Sequence, residues 1–194
     1  DPALTVMFHL DSGEQILAWT TTPWTLPANL ALAVGAEIEY AVMEQADAQG
    51  EPRRYILAAA RLGAYEKELD GAVRVGTLSG ADLVGRKYTP LFPYLADTPN
   101  AFHVLAADFV STDDGTGVVH MAPGFGEDDQ IACNAVGIPT LCPMDEHGRY
   151  TSEIADWVGM HVFDANSEVI AALKRRGAVV RHDSYNHSYP HCWR

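Results

Sequence analysis

Apolar and polar residues alternate in short runs along most of the chain. TVMFHL (5–10) and ILAWTT (16–21) are β-rich runs separated by the turn cluster DSGEQ, which predicts a hairpin. EYAVME (39–44) and RYILAA (54–59) repeat the arrangement around the polar loop QADAQGEP. VRVGTL (73–78), FHVLAAD (102–108) and GVVHMA (117–122) are further strands, and Asp114-Gly115 before the last of them is a hairpin signal. Helical patterning is sparser. ARLGAYEKEL (60–69) reads as a short helix ending before Gly71, and DDQIACNAV as another opened by acids. The clearest helix is 166–176, NSEVIAALKRR. Asn166 or Asp164 would cap it, Val169, Ile170 and Leu173 form its apolar stripe, and Lys174, Arg175 and Arg176 suit its C-terminal dipole before Gly177. Residues 80–100, rich in Pro, Gly and aromatics, are expected to wander across a surface. Many short strands with few helices predict a mixed α/β chain, built as a β-barrel or strongly bent sheet with peripheral helices.

Composition narrows the class. Of 194 residues, 47% are hydrophobic and 20% charged, as in an ordinary globular protein. No run approaches the ~18 apolar residues of a membrane span, so no membrane partner is expected. Three cysteines, Cys133, Cys142 and Cys192, do not make a disulfide framework, which suggests a reducing, cytoplasmic setting. The net charge of −13 argues against a free-standing nucleic-acid binder, because phosphate contacts need Lys and Arg. An RNA role must then be local, or depend on a larger protein. The chain starts at Asp1-Pro2 without Met and stops at Arg194, so it is expected to be an excised piece, one domain over 1–194.

The candidate chemistry lies in two stretches. WTTTPWTLPAN (19–29) places Thr20, Thr21 and Thr22 at a strand end, followed by Pro23-Trp24. Threonine suits strands in any case. Three together before a turn are less expected, because the turn stops the ladder and leaves hydroxyls and N–H groups to face a pocket. Alternation puts Thr20 and Thr22 on one face and Thr21 on the other. The second stretch is DDGTGVVHMAPGFGEDD (113–129). Here Val118, His120 and Ala122 share a face, and Pro123, Gly124 and Gly126 break the strand. Glu127, Asp128 and Asp129 then favour a helix N-terminus.

WTTTPWTLPANLALAV and DDGTGVVHMAPGFGEDD together resemble the editing domain of isoleucyl-tRNA synthetases, the large insertion of a class I aminoacyl-tRNA synthetase. PMDEHGRYT (143–151), GMHVFDAN (159–166) and YPHCWR (189–194) extend the resemblance over nearly the whole chain. The related insertions for valine and leucine typically read TTRP, whereas Pro23-Trp24 follows Thr22 here, which selects the isoleucine type. The resemblance implies a β-barrel-like editing fold of the valyl/leucyl/isoleucyl kind. It implies hydrolysis of the aminoacyl ester of valyl-tRNA(Ile), with isoleucine excluded. Thr20, Thr21 and Thr22 match the segment around the scissile ester and terminal ribose, and Trp24, Thr25 and Asn29 its continuation along the pocket. His120 matches the histidine that limits side-chain size, and Asp129 the acid that holds the substrate's α-ammonium. Adjacent Asp128 is easily confused with it. The implied partners are the valine-bearing 3′ end of tRNA(Ile) and the rest of the synthetase, with no DNA. Editing would need no cofactor or metal, while ATP and Mg would serve the full-length enzyme.

His182, His187, His191 and Cys192 cluster near the end, with an H-x3-H spacing that suits zinc in some settings. Without paired CxxC ligands the cluster is read as non-metal within this fragment, while zinc outside it, with Cys192 joining ligands beyond Arg194, stays open. Two alternatives stand beside the hydrolase: a non-catalytic tRNA-binding β-barrel, and a zinc-stabilised interaction module.

Overall fold

The structure is a computed structural model that describes residues 1–186. Its framework is a ten-stranded sheet: β1 (Pro2–Leu10), β2 (Gln15–Thr20), β3 (Ala31–Val34), β4 (Glu39–Ala46), β5 (Pro52–Ala58), β6 (Val73–Ser79), β7 (Tyr88–Thr89), β8 (Val104–Ala106), β9 (Val118–Met121) and β10 (Val179–Ser184). Three α-helices, α1 (Gly80–Leu83), α2 (Glu127–Ala135) and α3 (Val162–Arg175), lie around it among the described residues.

The topology turns on β2. One edge of β2 pairs antiparallel with β1, from Thr20 opposite Leu4 to Gln15 opposite His9. Its other edge divides. Gln15 and Ile16 run parallel to β5, which leads to β4 and β6, while Trp19 runs parallel to Val119 of β9, which leads to β3 and β8. A strand with three partners forces the sheet to split and curl, as a half-barrel. The C-terminal ends of β2 and β9 therefore finish side by side, and both candidate stretches pass through that point.

Burial follows the alternation. Leu4, Val6, Phe8 and Leu10 of β1 are fully buried and join Ile16, Leu32, Tyr40, Ile56 and Leu173 in the main core. Thr5 of the opposite face is buried too, hydrogen-bonded at 2.7 Å to Tyr65 beneath a second, smaller cluster. At 25 cal/mol per Å2, each fully buried Leu or Phe side chain contributes ~1.5–3 kcal/mol, so this sheet is held chiefly by its two-sided apolar cover.

Both expected hairpins form, β1–β2 and β4–β5. Four expectations are corrected. The short helix expected over 60–69 forms but stops early, as a 3-10 helix over Ala59–Tyr65, since no side chain caps the segment and Gly63 sits within it. Asp114-Gly115 does not close a hairpin, because β8 and β9 lie on opposite edges of β3. The segment instead packs inward through Gly117 (φ +78°), where an added Cβ would meet that of Ala58 at 2.5 Å. α3 starts at Val162, earlier than 166, and its cap is neither Asp164 nor Asn166 but His161, whose Nδ1 accepts from the Phe163 N–H at 3.2 Å. Residues 80–100 do not merely cross the surface: they contain α1 and β7 and bury Leu83, Tyr88, Phe92 and Leu95.

Candidate active site

The threonine stretch leaves β2 after Thr20 and winds at once into a 3-10 helix, Pro23–Ala28, with Thr22 at its cap position. Pro23 suits this start, having no N–H to leave unpaired. The Thr20 hydroxyl accepts from the Thr22 N–H at 3.0 Å, and the two hydroxyls lie 3.3 Å apart. Thr20 and Thr22 thus share a side as the alternation predicts, although a local side-chain turn holds them and not the ladder. Thr25 folds back over them, its Oγ1 donating to the Thr22 carbonyl at 2.9 Å and lying 3.4 Å from Thr22 Oγ1. The half-buried Thr21 makes no side-chain hydrogen bond to the described residues, which leaves its hydroxyl available.

His120 of β9 packs against this turn. Its Nε2 lies 2.8 Å from Thr25 Oγ1, and its Nδ1 lies 2.8 Å from the Asn29 side-chain nitrogen. Only 8% of its surface is exposed, and burial pushes its pKa down to about 3, so the ring is neutral at physiological pH. Both ring nitrogens thus have a hydrogen-bond partner. Asn29 also donates to the Ala31 carbonyl at 2.9 Å and accepts from the Tyr88 hydroxyl at 2.5 Å.

Asp129 sits in the first turn of α2, and its Oδ2 accepts from the Ala122 N–H at 2.9 Å, one step past the end of β9. No ion pair engages it among the described residues. Burial raises its pKa, the Ala122 N–H pulls it back down, and the neighbouring Asp128 charge raises it further. Asp128 itself is exposed. A half-buried carboxylate with no cation beside it is the arrangement a charged ligand would complete.

Trp24 stands between these parts. Its ring meets Phe125 at 4.9 Å and Phe163 of α3 at 6.4 Å. Its backbone is gripped on both sides: the N–H donates to Asn166 Oδ1 at 3.0 Å, and the carbonyl accepts from the Tyr150 hydroxyl. Thr20, Thr22, Thr25, Asn29 and His120 thus form one hydrogen-bonded group. Trp24 flanks it, and Asp129 reaches the same strand end without a direct bond to the threonines. Sequence reasoning missed Tyr88, Tyr150 and Asn166. The signals available were a tyrosine inside PMDEHGRYT and an asparagine misread as a helix cap; Tyr88 gave none. A separate groove of about 830 Å3 runs along α3 past Phe163, Asn166 and Lys174, and holds none of the predicted site residues.

The C-terminal cluster is only partly described. His182 lies on β10 with its Nδ1 3.0 Å from Lys174 Nζ, and His187, His191 and Cys192 lie outside the described residues. Among the described residues no group of three His, Cys, Asp or Glu side chains is placed to hold a metal. No described helix is long and apolar enough to cross a membrane.

No protein-family model matches the chain. Over its full length, however, the chain is 48% identical to part of an isoleucine–tRNA ligase of Mycobacterium tuberculosis and 50% identical to part of one from Rickettsia canadensis. It spans about a fifth of the length of these curated relatives, 20% and 18% respectively. Its fold is shared with the crystal structure of GlLeuRS-CP1, with a TM-score of 0.72 at 14% identity, covering 96% of this chain and all of the other. The editing domain of the Plasmodium falciparum cytosolic leucyl-tRNA synthetase shares it too, with a TM-score of 0.67 at 9% identity over 95% of this chain and all of that domain.

Proposed function

From a chain homologous end to end to one segment of isoleucine–tRNA ligases, and folded as leucyl-tRNA synthetase editing domains fold, we propose that residues 1–194 form an editing domain that hydrolyses the ester of valyl-tRNA(Ile) and spares isoleucyl-tRNA(Ile). One methylene separates the two amino acids and supports only ~1–3 kcal/mol of binding discrimination, a magnitude already established with isoleucine–tRNA ligases themselves. A second site that rejects the larger side chain supplies the missing accuracy.

The observation that carries the reading is the meeting, at one strand end, of a rigid neutral His120, a ring of threonine hydroxyls and a carboxylate without a cation. In this reading Asp129 takes the substrate's α-ammonium, which fixes the carbonyl relative to Thr20–Thr22. Hydroxyls and N–H groups of that turn orient the ester and stabilise the oxyanion, and Trp24, Thr25 and Asn29 shape the pocket. Water attacks directly. Among the described residues no nucleophile–base pair supports a covalent intermediate: the Cys133 thiol is buried, with its pKa pushed up to about 12, and both His120 nitrogens are already engaged. His120 is then the wall that the extra methyl of isoleucine strikes. The substrate arrives as the 3′ end of tRNA held largely by the remainder of the synthetase, where ATP and Mg serve the charging reaction elsewhere.

The test uses amide-linked, non-hydrolysable 3′-aminoacyl-adenosine analogues. Calorimetry should show the valyl analogue binding and the isoleucyl analogue failing to bind, with Asp129→Ala removing valyl binding. Equal binding of both analogues would refute the sieve.

A further inference from the structure

Tyr88 is almost fully buried, lies in a two-residue strand far from the threonines in sequence, and has its hydroxyl aimed into the site. β7 pairs with β1 through Leu10 and Tyr88, and the Tyr88 N–H donates to the Phe102 carbonyl at 3.0 Å. The ring is wedged edge-on between Phe8 and Phe102, with centroids 5.2 and 6.0 Å away. The phenol is therefore placed by the sheet, and desolvation keeps it protonated at every working pH.

What the hydroxyl touches decides a proton position three groups away. The Ala31 carbonyl only accepts, so the nitrogen of the Asn29 amide faces it, at 2.9 Å. That same nitrogen lies 2.8 Å from His120 Nδ1, which must accept. The imidazole proton therefore sits on Nε2 and is donated to Thr25 Oγ1 at 2.8 Å. Thr25 in turn sends its own proton to the Thr22 carbonyl. The amide so oriented turns its oxygen to Tyr88, the one donor it meets among the described residues. We infer that Tyr88 is a positioning residue for specificity: by anchoring Asn29 it holds His120 as a fixed wall, in the tautomer protonated at Nε2.

Removing the Tyr88 hydroxyl leaves the Asn29 oxygen unpaired in an apolar setting. A buried acceptor so orphaned loses a preference worth ~5- to 150-fold between competing orientations. The Ala31 carbonyl remains, so Tyr88→Phe loosens the ring without erasing its site.

The experiment reads the His120 ring by 15N NMR, and then both esters by deacylation. Only the second arm rests on the editing reading, so its failure in the unaltered chain leaves the first arm decisive for Tyr88. The unaltered chain should show one neutral, Nε2-protonated ring from pH 5 to 9. Tyr88→Phe should broaden or split that signature. It should also raise isoleucyl-tRNA hydrolysis on the order of 5-fold or more while valyl hydrolysis changes much less. Tyr65→Phe, which removes a buried phenol hydroxyl bonded to Thr5 in the second cluster and leaves the packing around Tyr88 intact, should lower thermal stability and leave both readouts unchanged. Asn29→Asp should force the proton to Nδ1, which tests the relay even where Tyr88→Phe does not fold. An Nδ1-protonated ring in the unaltered chain, a signature that titrates in that range, an Asn29→Asp ring still protonated at Nε2, or a folded Tyr88→Phe with unchanged His120 spectrum would overturn the inference.

Discussion

Replacing His120 with Ala should turn a selective hydrolase into a permissive one. The substitution removes a ring that is 8% exposed and deletes two hydrogen bonds of 2.8 Å each. Neither former partner is orphaned, since Asn29 keeps the Ala31 carbonyl and Thr25 keeps the Thr22 carbonyl. The cost is then mostly the void and lost packing, about 2–4 kcal/mol, which a domain with ~5–15 kcal/mol of stability can carry. The space vacated exceeds the single methylene that separates isoleucine from valine. Isoleucyl-tRNA hydrolysis should rise at least ~10-fold, equivalent to ~1.4 kcal/mol of relieved overlap in the transition state. Valyl hydrolysis should stay within about tenfold of its original rate, because ester positioning rests on Thr20–Thr22 and ammonium binding on Asp129. The assay is single-turnover deacylation of both esters, with folding checked by circular dichroism. Comparable loss on both esters in a folded variant would refute the reasoning and make His120 the base. A pKa near 3 makes that role ill-matched to neutral pH.

Three further outcomes are expected. Asp129→Ala should abolish valyl-tRNA hydrolysis, a loss of several kcal/mol from an unpaired buried ammonium, while exposed Asp128→Ala changes it little; deacylation rates with the reverse ranking would reassign the acid. Folding stability should fall on acidification, because between pH 6.5 and about 3 the unfolded chain binds a proton at His120 that the folded chain refuses. That contribution is complete above pH 6.5 and lost toward pH 3, amounting to at most about 5 kcal/mol; carboxylates held below their usual range, such as Glu14 and Asp145, give both chains some slope, so chemical denaturation across that window should show a steeper fall in the unaltered chain than in His120→Ala. With a net charge of −13, the isolated domain should bind tRNA weakly at physiological salt, and affinity comparable to the full synthetase in a filter-binding assay would contradict this.

Period-two burial made the β1–β2 and β4–β5 hairpins legible, because each joins neighbours in sequence across a polar turn. The pairing of Thr20 with Thr22 was legible for the same reason, being local. What escaped was non-local. Tyr88 meets Asn29 across 59 positions, and Asn166 meets the Trp24 N–H across 142. No periodicity announces a contact that the curl of the sheet creates. Asp114-Gly115 failed as a hairpin signal for a related cause: the strand before it and the strand after it both seek β3, on opposite edges. Asp128 and Asp129 were indistinguishable by composition, and only the path from β9 into α2 separates an exposed carboxylate from one seated on the Ala122 N–H.

The central claim is a size-selective hydrolysis, and the ratio of two rates measures it most directly. Single-turnover deacylation of valyl-tRNA(Ile) and isoleucyl-tRNA(Ile) should be followed with the full synthetase carrying this domain, and with the same enzyme bearing Asp129→Ala. The account predicts rapid release of valine, isoleucine release close to the spontaneous rate, and the loss of valine release in the Asp129 variant. Equal release of both amino acids, or valine release that persists without Asp129, would contradict it.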